Sequence, residues 1–220
     1  MADKYAQRPA ILKLLEDISK KTILDLGCGS GKFSQILANK GAKVDAADIS
    51  EEWIKKAKSK FKEVNFFTAD SSNLNMIKDN TYDIVLMKLV FLNIKDKEKV
   101  EKTFHEVSRV LKNGGDFIFT DLHPLCLMIK DTGTERQNHL ENFSYFKDGS
   151  QFKSDVLMSD EKTRMQFTDT HWTLNTYTRL INESDLVINQ IIEPEPIKES
   201  PEAIKNTKVP EFIIFHCKKK

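Results

Sequence analysis

Three short stretches carry acids and glycines in a pattern able to bind a nucleotide-type ligand. The first is Asp25-x-Gly27-x-Gly29-x-Gly31, within TILDLGCGSGK at Thr22 to Lys32. Glycine lets the backbone turn sharply, and a ligand can approach a peptide plane that a Cβ would block. The second is Asp48, at the end of VDAADI, where a carboxylate can accept hydrogen bonds from ribose hydroxyls. The third is Asp70 with Ser71, directly after VNFFTA, where a carboxylate can accept from an exocyclic amino group such as adenine offers. For proton transfer the candidates are His123, in Asp121-Leu122-His123-Pro124, and His171, in Thr170-His171-Trp172-Thr173. A histidine suits removal of a hydroxyl proton near neutral pH. Cys28, inside the turn, reads as small packing with no nucleophilic role.

These residues need a scaffold that brings several strand ends to one edge. Apolar periodicity predicts one. Ile11, Leu12, Leu14, Leu15 and Ile18 form a stripe at helical spacing over Tyr5 to Ser19, with Pro9 near its start. Tyr5 and Arg8 lie ahead of that stripe, placed to fold over a ligand. The glycine turn leads into a helix with Phe33, Ile36 and Leu37 on one face, stopped at Asn39-Lys40-Gly41. Ser50 caps a further helix whose seam reads as Trp53, Ala57 and Phe61. Tyr82 to Met87 is nearly all apolar, as suits a parallel strand buried on both faces. Lys97 to Leu111 reads as an amphipathic helix ended by Asn113-Gly114-Gly115, and Asp116 to Thr120 as the next strand. Strands near 24, 45, 66, 84 and 118, alternating with helices, predict an α/β, doubly wound parallel sheet. Its carboxyl edge is where such sheets bind ligands.

After Leu122 the rhythm breaks. His123 to Gln151 shows no regular pattern, with Gly133, Gly149 and many Asn, Asp and Ser, and a long stretch of this kind suits a lid. Val156 to Phe167 alternates weakly around Ser159-Asp160-Glu161-Lys162, as a hairpin would. A helix from about Thr173 to Ser184 and strands at Leu186 to Ile192 and Glu211 to Cys217 follow.

Composition bounds the function. The 220 residues are 40% apolar and 30% charged, which suits one folded domain. A net charge of +1 lacks the basic excess expected of a protein that grips nucleic acid, and Lys218-Lys219-Lys220 reads as a solvated terminus. Three cysteines without CxxC spacing disfavour a disulfide framework or a zinc site, and no metal is expected. The absence of a signal core or a membrane-length apolar run predicts a cytoplasmic protein with no membrane partner.

A glycine turn alone does not choose between cofactors. A dinucleotide fingerprint G-x-G-x-x-G would need glycine where Lys32 stands. Asp48 and Asp70 argue for an adenosine. With these residues in place, the chain resembles the class I S-adenosylmethionine-dependent methyltransferases. The matching segments are ILDLGCGSG, VDAADIS, FFTADSSNL, YDIVLMKLVFLNI and EVSRVLKNGGDFIFTDLHP, in family order over about the first 125 residues. The resemblance implies a Rossmann-like, three-layer α/β/α fold. Its seven-stranded sheet is mostly parallel and ends in an antiparallel hairpin, with residues 123–170 inserted as a cap over the acceptor site in a single domain, 1–220. It implies S-adenosylmethionine as cofactor, with S-adenosylhomocysteine as product. The methionine moiety would lie against Asp25, Gly27, Cys28, Gly29 and Gly31, with Met87 and Lys88 beneath it. The ribose would lie on Asp48, and the adenine near Ile49, Asp70 and Ser71.

Methyl transfer is an in-line displacement in which the protein supplies alignment and at times a base. The N-P-P-Y and Pro-Cys elements of base-modifying methyltransferases are absent after the fourth strand, where Lys88-Leu89-Val90-Phe91 stands. This leaves a small-molecule acceptor, with O or N ahead of C as the nucleophile. His123 and His171 are the catalytic candidates, and Trp172, Tyr145 and Phe146 could wall an acceptor pocket. Two other readings are a non-catalytic module that keeps the cofactor fold and a nicotinamide-dependent oxidoreductase. Oligomeric state is open.

Overall fold

The computed structural model describes residues 3–128, 136–141, 143–157, 163–201 and 207–220. The helices are α1 (Arg8–Leu14), α2 (Lys32–Asn39), α3 (Glu51–Lys60), α4 (Lys97–Val110), α5 (Pro124–Met128) and α6 (Leu174–Glu183). The strands are β1 (Thr22–Leu26), β2 (Lys43–Asp48), β3 (Asn65–Thr68), β4 (Tyr82–Lys88), β5 (Leu111–Leu122), β6 (Arg136–His139), β7 (Ser150–Leu157), β8 (Arg164–His171), β9 (Leu186–Ile192) and β10 (Phe212–Lys219). A π-helical turn, Asp3–Gln7, precedes α1.

The main sheet has seven strands in the order β3-β2-β1-β4-β5-β10-β9. The first five run parallel. β10 is antiparallel to both β5 and β9, giving the terminal hairpin. Two apolar layers flank this sheet. Strand residues Leu24, Leu26, Val85, Met87, Phe119 and Phe215 face α4 and α6 through Val100, Phe104, Tyr177 and Leu180. Alternate positions Ile23, Ile84, Leu86 and Ile118 face α1, α2 and α3 through Ile11, Phe33, Leu37, Ile54 and Ala57. Period-two strands buried on both faces thus produce the three-layer α/β/α architecture.

Local chemistry sets the ends of the elements. Ser50 Oγ accepts from Trp53 N at 3.3 Å, Asp96 Oδ1 from Glu98 N at 2.9 Å, and Thr173 Oγ1 from Thr176 N at 3.2 Å, each capping a helix. Four readings need correction. The N-terminal helix ends at Leu14 and not Ser19, and its first turn is π-helical. Ile54 and Ala57 form the buried seam of α3, while Trp53 is 45% exposed. Strand β5 begins at Leu111, directly where α4 ends, because Leu111 already pairs with Tyr82.

The fourth correction concerns His123 to Gln151. Its described residues hold α5, β6 and the start of β7, and β6, β7 and β8 form a separate three-stranded antiparallel sheet. Strand β6 reads Arg-Gln-Asn-His, so no apolar alternation marks it. Polar pairs join these strands: His139 Nε2 to Asp155 Oδ2 at 2.8 Å and Ser154 Oγ to Asn138 Oδ1 at 2.9 Å. The expected hairpin strands are present as β7 and β8. Gly133 and the expected turn Ser159-Asp160-Glu161-Lys162 lie outside the described residues.

Candidate cofactor site

The glycine turn is built by what its backbone can reach. Gly27 N and Cys28 N both donate to Ala47 O of β2, at 2.7 and 3.0 Å. Gly27, Gly29 and Gly31 have φ of 73°, 51° and 72°, a left-handed region in which side chains are strained. The three glycines serve different ends. A Cβ on Gly27 would fall 2.4 Å from Val90 Cγ2, and one on Gly31 would fall 2.7 Å from Phe66 Cζ. A Cβ on Gly29 would meet nothing within 4 Å. The middle glycine therefore has open space where a Cβ would stand, while the outer two allow packing. Lys32 occupies the first position of α2, exposed, so the turn has no fourth glycine.

Asp48 anchors this turn from the end of β2. Its Oδ2 accepts from Gly29 N at 2.8 Å and its Oδ1 from Ser50 N at 2.9 Å. Each oxygen keeps acceptor capacity for a ligand hydroxyl. Asp70 accepts from Ser72 N at 2.9 Å and Ser72 Oγ at 2.7 Å through Oδ1, so it does order the turn after β3. Its Oδ2 pairs with Lys99 Nζ at 2.7 Å, and those contacts together hold its carboxyl below the usual range against its partial burial. Ser71 Oγ lies 3.2 Å from Thr103 Oγ1.

A cavity of about 570 Å³ joins these groups. Gly27, Asp48, Ile49, Trp53, Asp70, Ser71, Leu89 and Val90 line it. Ile49 is 66% exposed there, an apolar side chain held out at the mouth of the cavity. Asp25 lies beneath the turn, 2% exposed, and accepts from Ser34 Oγ at 2.6 Å. Burial raises it to about 6, against the lowering effects of Ser34 and Lys88. Lys88 ends β4 beside Gly27, since Leu26 pairs with Met87. Met87 is fully buried among the core residues facing α4, so its side chain is core, not cavity wall. Tyr5 packs against the small cluster of Leu92, Leu122 and Phe212, and Arg8 pairs with Asp3 at 2.5 Å. Cys28 is half-buried, and burial with nearby Asp25 and Asp48 pushes its thiol far above the ordinary range, which leaves no reactive thiolate.

The two histidines stand differently. His123 accepts from Leu125 N through Nδ1 at 3.1 Å, and its Nε2 lies 2.8 Å from Glu193 Oε1. With Nδ1 accepting, Nε2 carries the proton, so neither nitrogen offers a lone pair to a substrate. These two contacts fix the ring between the start of α5 and Glu193. His171 is buried, lies 2.9 Å from Tyr145 O through Nε2, and packs against the rings of Phe143 and Tyr145. Burial lowers its pKa. Trp172 is buried and donates to Phe91 O at 3.1 Å, while Phe146 is 92% exposed.

Asp121 escaped the sequence reading. It follows Thr120 at the carboxyl end of β5, buried, and accepts from Tyr177 Oη and from Leu122 N at 2.7 Å. Burial pushes it up to about 7. Nearby, the buried Asp169 accepts from Arg136 Nη1 at 2.6 Å, tying β8 to β6. Its place at a strand's carboxyl end was the available signal for Asp121.

The comparisons with known proteins fall on the same part of the chain. The family model described as methyltransferase domain matches residues 24–119, the stretch from β1 to β5 that carries the glycine turn, Asp48 and Asp70. In this stretch and in its fold the chain is similar to S-adenosylmethionine-dependent methyltransferases. A malonyl-[acyl-carrier protein] O-methyltransferase of Hamiltonella defensa is 35% identical over 112 residues, 51% of this chain and 42% of that protein. A phosphoethanolamine N-methyltransferase of Triticum aestivum is 34% identical over 119 residues, 52% of this chain and 23% of that protein. The matches thus span less than half the length of these relatives. A Listeria monocytogenes structure classed as an S-adenosylmethionine-dependent methyltransferase superposes with a TM-score of 0.72 at 26% identity, covering 97% of this chain and 96% of that one. One from Mesorhizobium loti gives 0.70 at 19% identity, with 96% of each chain covered, a likeness of fold.

Proposed function

We propose that this chain is an S-adenosylmethionine-dependent methyltransferase acting on an oxygen or nitrogen nucleophile of a small molecule. The observation that carries this reading is the convergence of Gly27 of the glycine turn, Asp48 and Asp70-Ser71 on one cavity at the carboxyl edge of the sheet. The donor set fits the cofactor. Asp48 accepts from ribose hydroxyls, Ile49 and Trp53 cover an adenine face, and Asp70 and Ser71 meet its polar edge. The turn from Asp25 to Gly31 holds the amino-acid part, with Lys88, Arg8 and Tyr5 beyond it. When bound, the cofactor supplies a methyl group on a sulfonium, an electrophile needing alignment more than acid or base.

A second cavity, about 480 Å³, supports a small acceptor. It opens at the same sheet edge, because Phe212 pairs with Leu122. Glu193, Glu195 and Glu211 line it with Lys208 and Ala6, so carboxylates outnumber cations. Such a lining suits an acceptor bearing a cationic nitrogen. A net charge of +1 favours a small acceptor over a nucleic acid. In this reading His123 orders the loop of that cavity through Glu193, and the described residues of 123–170 form the cap over the acceptor. No helix among the described residues is long and apolar enough to cross a membrane. Three free cysteines support a reducing, cytoplasmic setting.

Incubation with methyl-labelled S-adenosylmethionine and a fractionated cell extract tests the proposal. The expected result is label in a low-molecular-mass product, absent with Asp48→Ala. Label in nucleic acid would overturn the acceptor class. Cofactor binding without transfer to any fraction would favour the non-catalytic module.

A further inference from the structure

Two cations at the amino-acid end of the candidate site converge on a carboxylate that belongs to the chain itself. Lys88 Nζ lies 2.7 Å from Asp3 Oδ1, and Arg8 Nη2 lies 2.5 Å from Asp3 Oδ2. Lys88 stands beside Gly27, across the β1–β4 pairing. Its ammonium sits 4.4 Å from the centre of the Phe33 ring, and Phe33 belongs to the first turn of α2, which follows Gly31. The Lys88 side chain is only 16% exposed. A guanidinium and an ammonium gripping two oxygens of one carboxylate form a carboxylate-binding site, placed against the glycine turn.

The segment that delivers Asp3 is not at rest in its hydrogen bonding. Asp3 opens the π-helical turn Asp3–Gln7, a rare conformation that concentrates at functional places. Gln7 is 1% exposed. Its Nε2 donates to Thr120 Oγ1 at 3.0 Å, yet its Oε1 is buried without a partner. The next residue, Arg8, has a buried Nε without a partner. One orphan acceptor and one orphan donor on adjacent residues match the ammonium and carboxylate of an α-amino acid. A buried polar atom left unpaired is costly, so an arrangement that satisfies both is favoured once a ligand supplies the groups.

We propose that Asp3 is an internal latch. In the free protein its carboxylate occupies the Arg8–Lys88 site, and the α-carboxylate of the cofactor's amino-acid part displaces it on binding. This rests on the S-adenosylmethionine reading. The latch lowers apparent affinity by the fraction of molecules in which it is open. Two partly exposed ion pairs correspond to about a three- to thirtyfold effect.

Calorimetry on the full chain with two probes tests this. S-adenosylhomocysteine carries the α-carboxylate; 5′-methylthioadenosine keeps the adenosine and thioether and lacks it. Asp3→Asn is expected to bind S-adenosylhomocysteine about three- to thirtyfold more tightly, leave 5′-methylthioadenosine unchanged, and lower the melting midpoint of the free protein. Asp3→Ala should act in the same direction, and Lys88→Met should erase the preference for S-adenosylhomocysteine over 5′-methylthioadenosine. Unchanged or weaker S-adenosylhomocysteine binding in folded Asp3→Asn and Asp3→Ala would overturn the latch alone. If neither probe bound the wild-type protein, the cofactor reading would fall and the latch with it.

Discussion

Two buried carboxyls make the stability of this protein pH-dependent at neutral pH. Burial raises Asp121 from an ordinary 3.8 to about 7, and Asp25 from 3.8 to about 6. The folded state therefore holds protons that the unfolded chain has released between about pH 4 and 7, and stability falls as pH rises through that window. Asp83, lowered to about 2 by Thr22 and Lys112, acts in the opposite sense below pH 4, and His171, lowered by burial, opposes the decline more weakly below its ordinary 6.5. Melting curves of the ligand-free protein from pH 4.5 to 7.5 should show this decline (a window set by those shifts). Asp121→Asn should flatten it, since an amide does not titrate there, whatever its offset in absolute stability. A slope unchanged by the substitution would place the titration elsewhere. At the same scale, the partners of His123 were not legible in the sequence. His123 stands where a base would be useful, but Leu125 N and Glu193 occupy its ring, and neither contact has a signature in the local sequence.

The strand-turn-helix unit β1-turn-α2 makes a sharper prediction, because its glycines do different things. In Gly31→Ala the new methyl would press on Phe66 and Ala57 while the backbone stays at a φ of 72°. Overpacking with a left-handed alanine should cost about 2–4 kcal/mol in urea unfolding. Gly29→Ala places its methyl in open space, so the cost should be about 1 kcal/mol of backbone strain. Ligand affinity should reverse the order: Gly29→Ala should lose S-adenosylhomocysteine binding by tenfold or more, although it is the better-folded variant. Equal binding losses with equal destabilisation would mean that the turn is only structural. These elements were legible because a parallel, twice-buried sheet writes itself as apolar runs between glycine and capping residues. The sheet β6-β7-β8 was not, because its strands pair through polar side chains such as His139 with Asp155, and β8 from Arg164 to Phe167 is exposed.

Across the whole molecule, the sheet edge and the core behind it are one construction. Phe91, Phe104, Phe119, Tyr177 and Phe215 stack and cross below the ends of β4 and β5. Tyr177 also donates to Asp121, so the core ring that packs α6 touches the carboxyl end of β5. Phe119→Ala, at a fully buried position, should cost about 3–5 kcal/mol and soften the sheet edge together with the core. Retained S-adenosylhomocysteine affinity in the folded fraction, with lowered stability, would separate the two roles. The match of residues 24–119 to a methyltransferase domain explains why this half was readable as a family while the stretch beyond Leu122 was not. The glycine turn, Asp48 and Asp70 lie inside that match; Glu193, Glu195 and Glu211 of the second cavity lie outside it. The central claim is that the turn and its two acids hold S-adenosylmethionine. Titration calorimetry of the full chain with S-adenosylhomocysteine measures this directly. The expected result is one-to-one binding that Asp48→Ala weakens tenfold or more, about 1.4 kcal/mol. The absence of saturable heat with folded wild-type protein, or binding indifferent to Asp48→Ala, would contradict it.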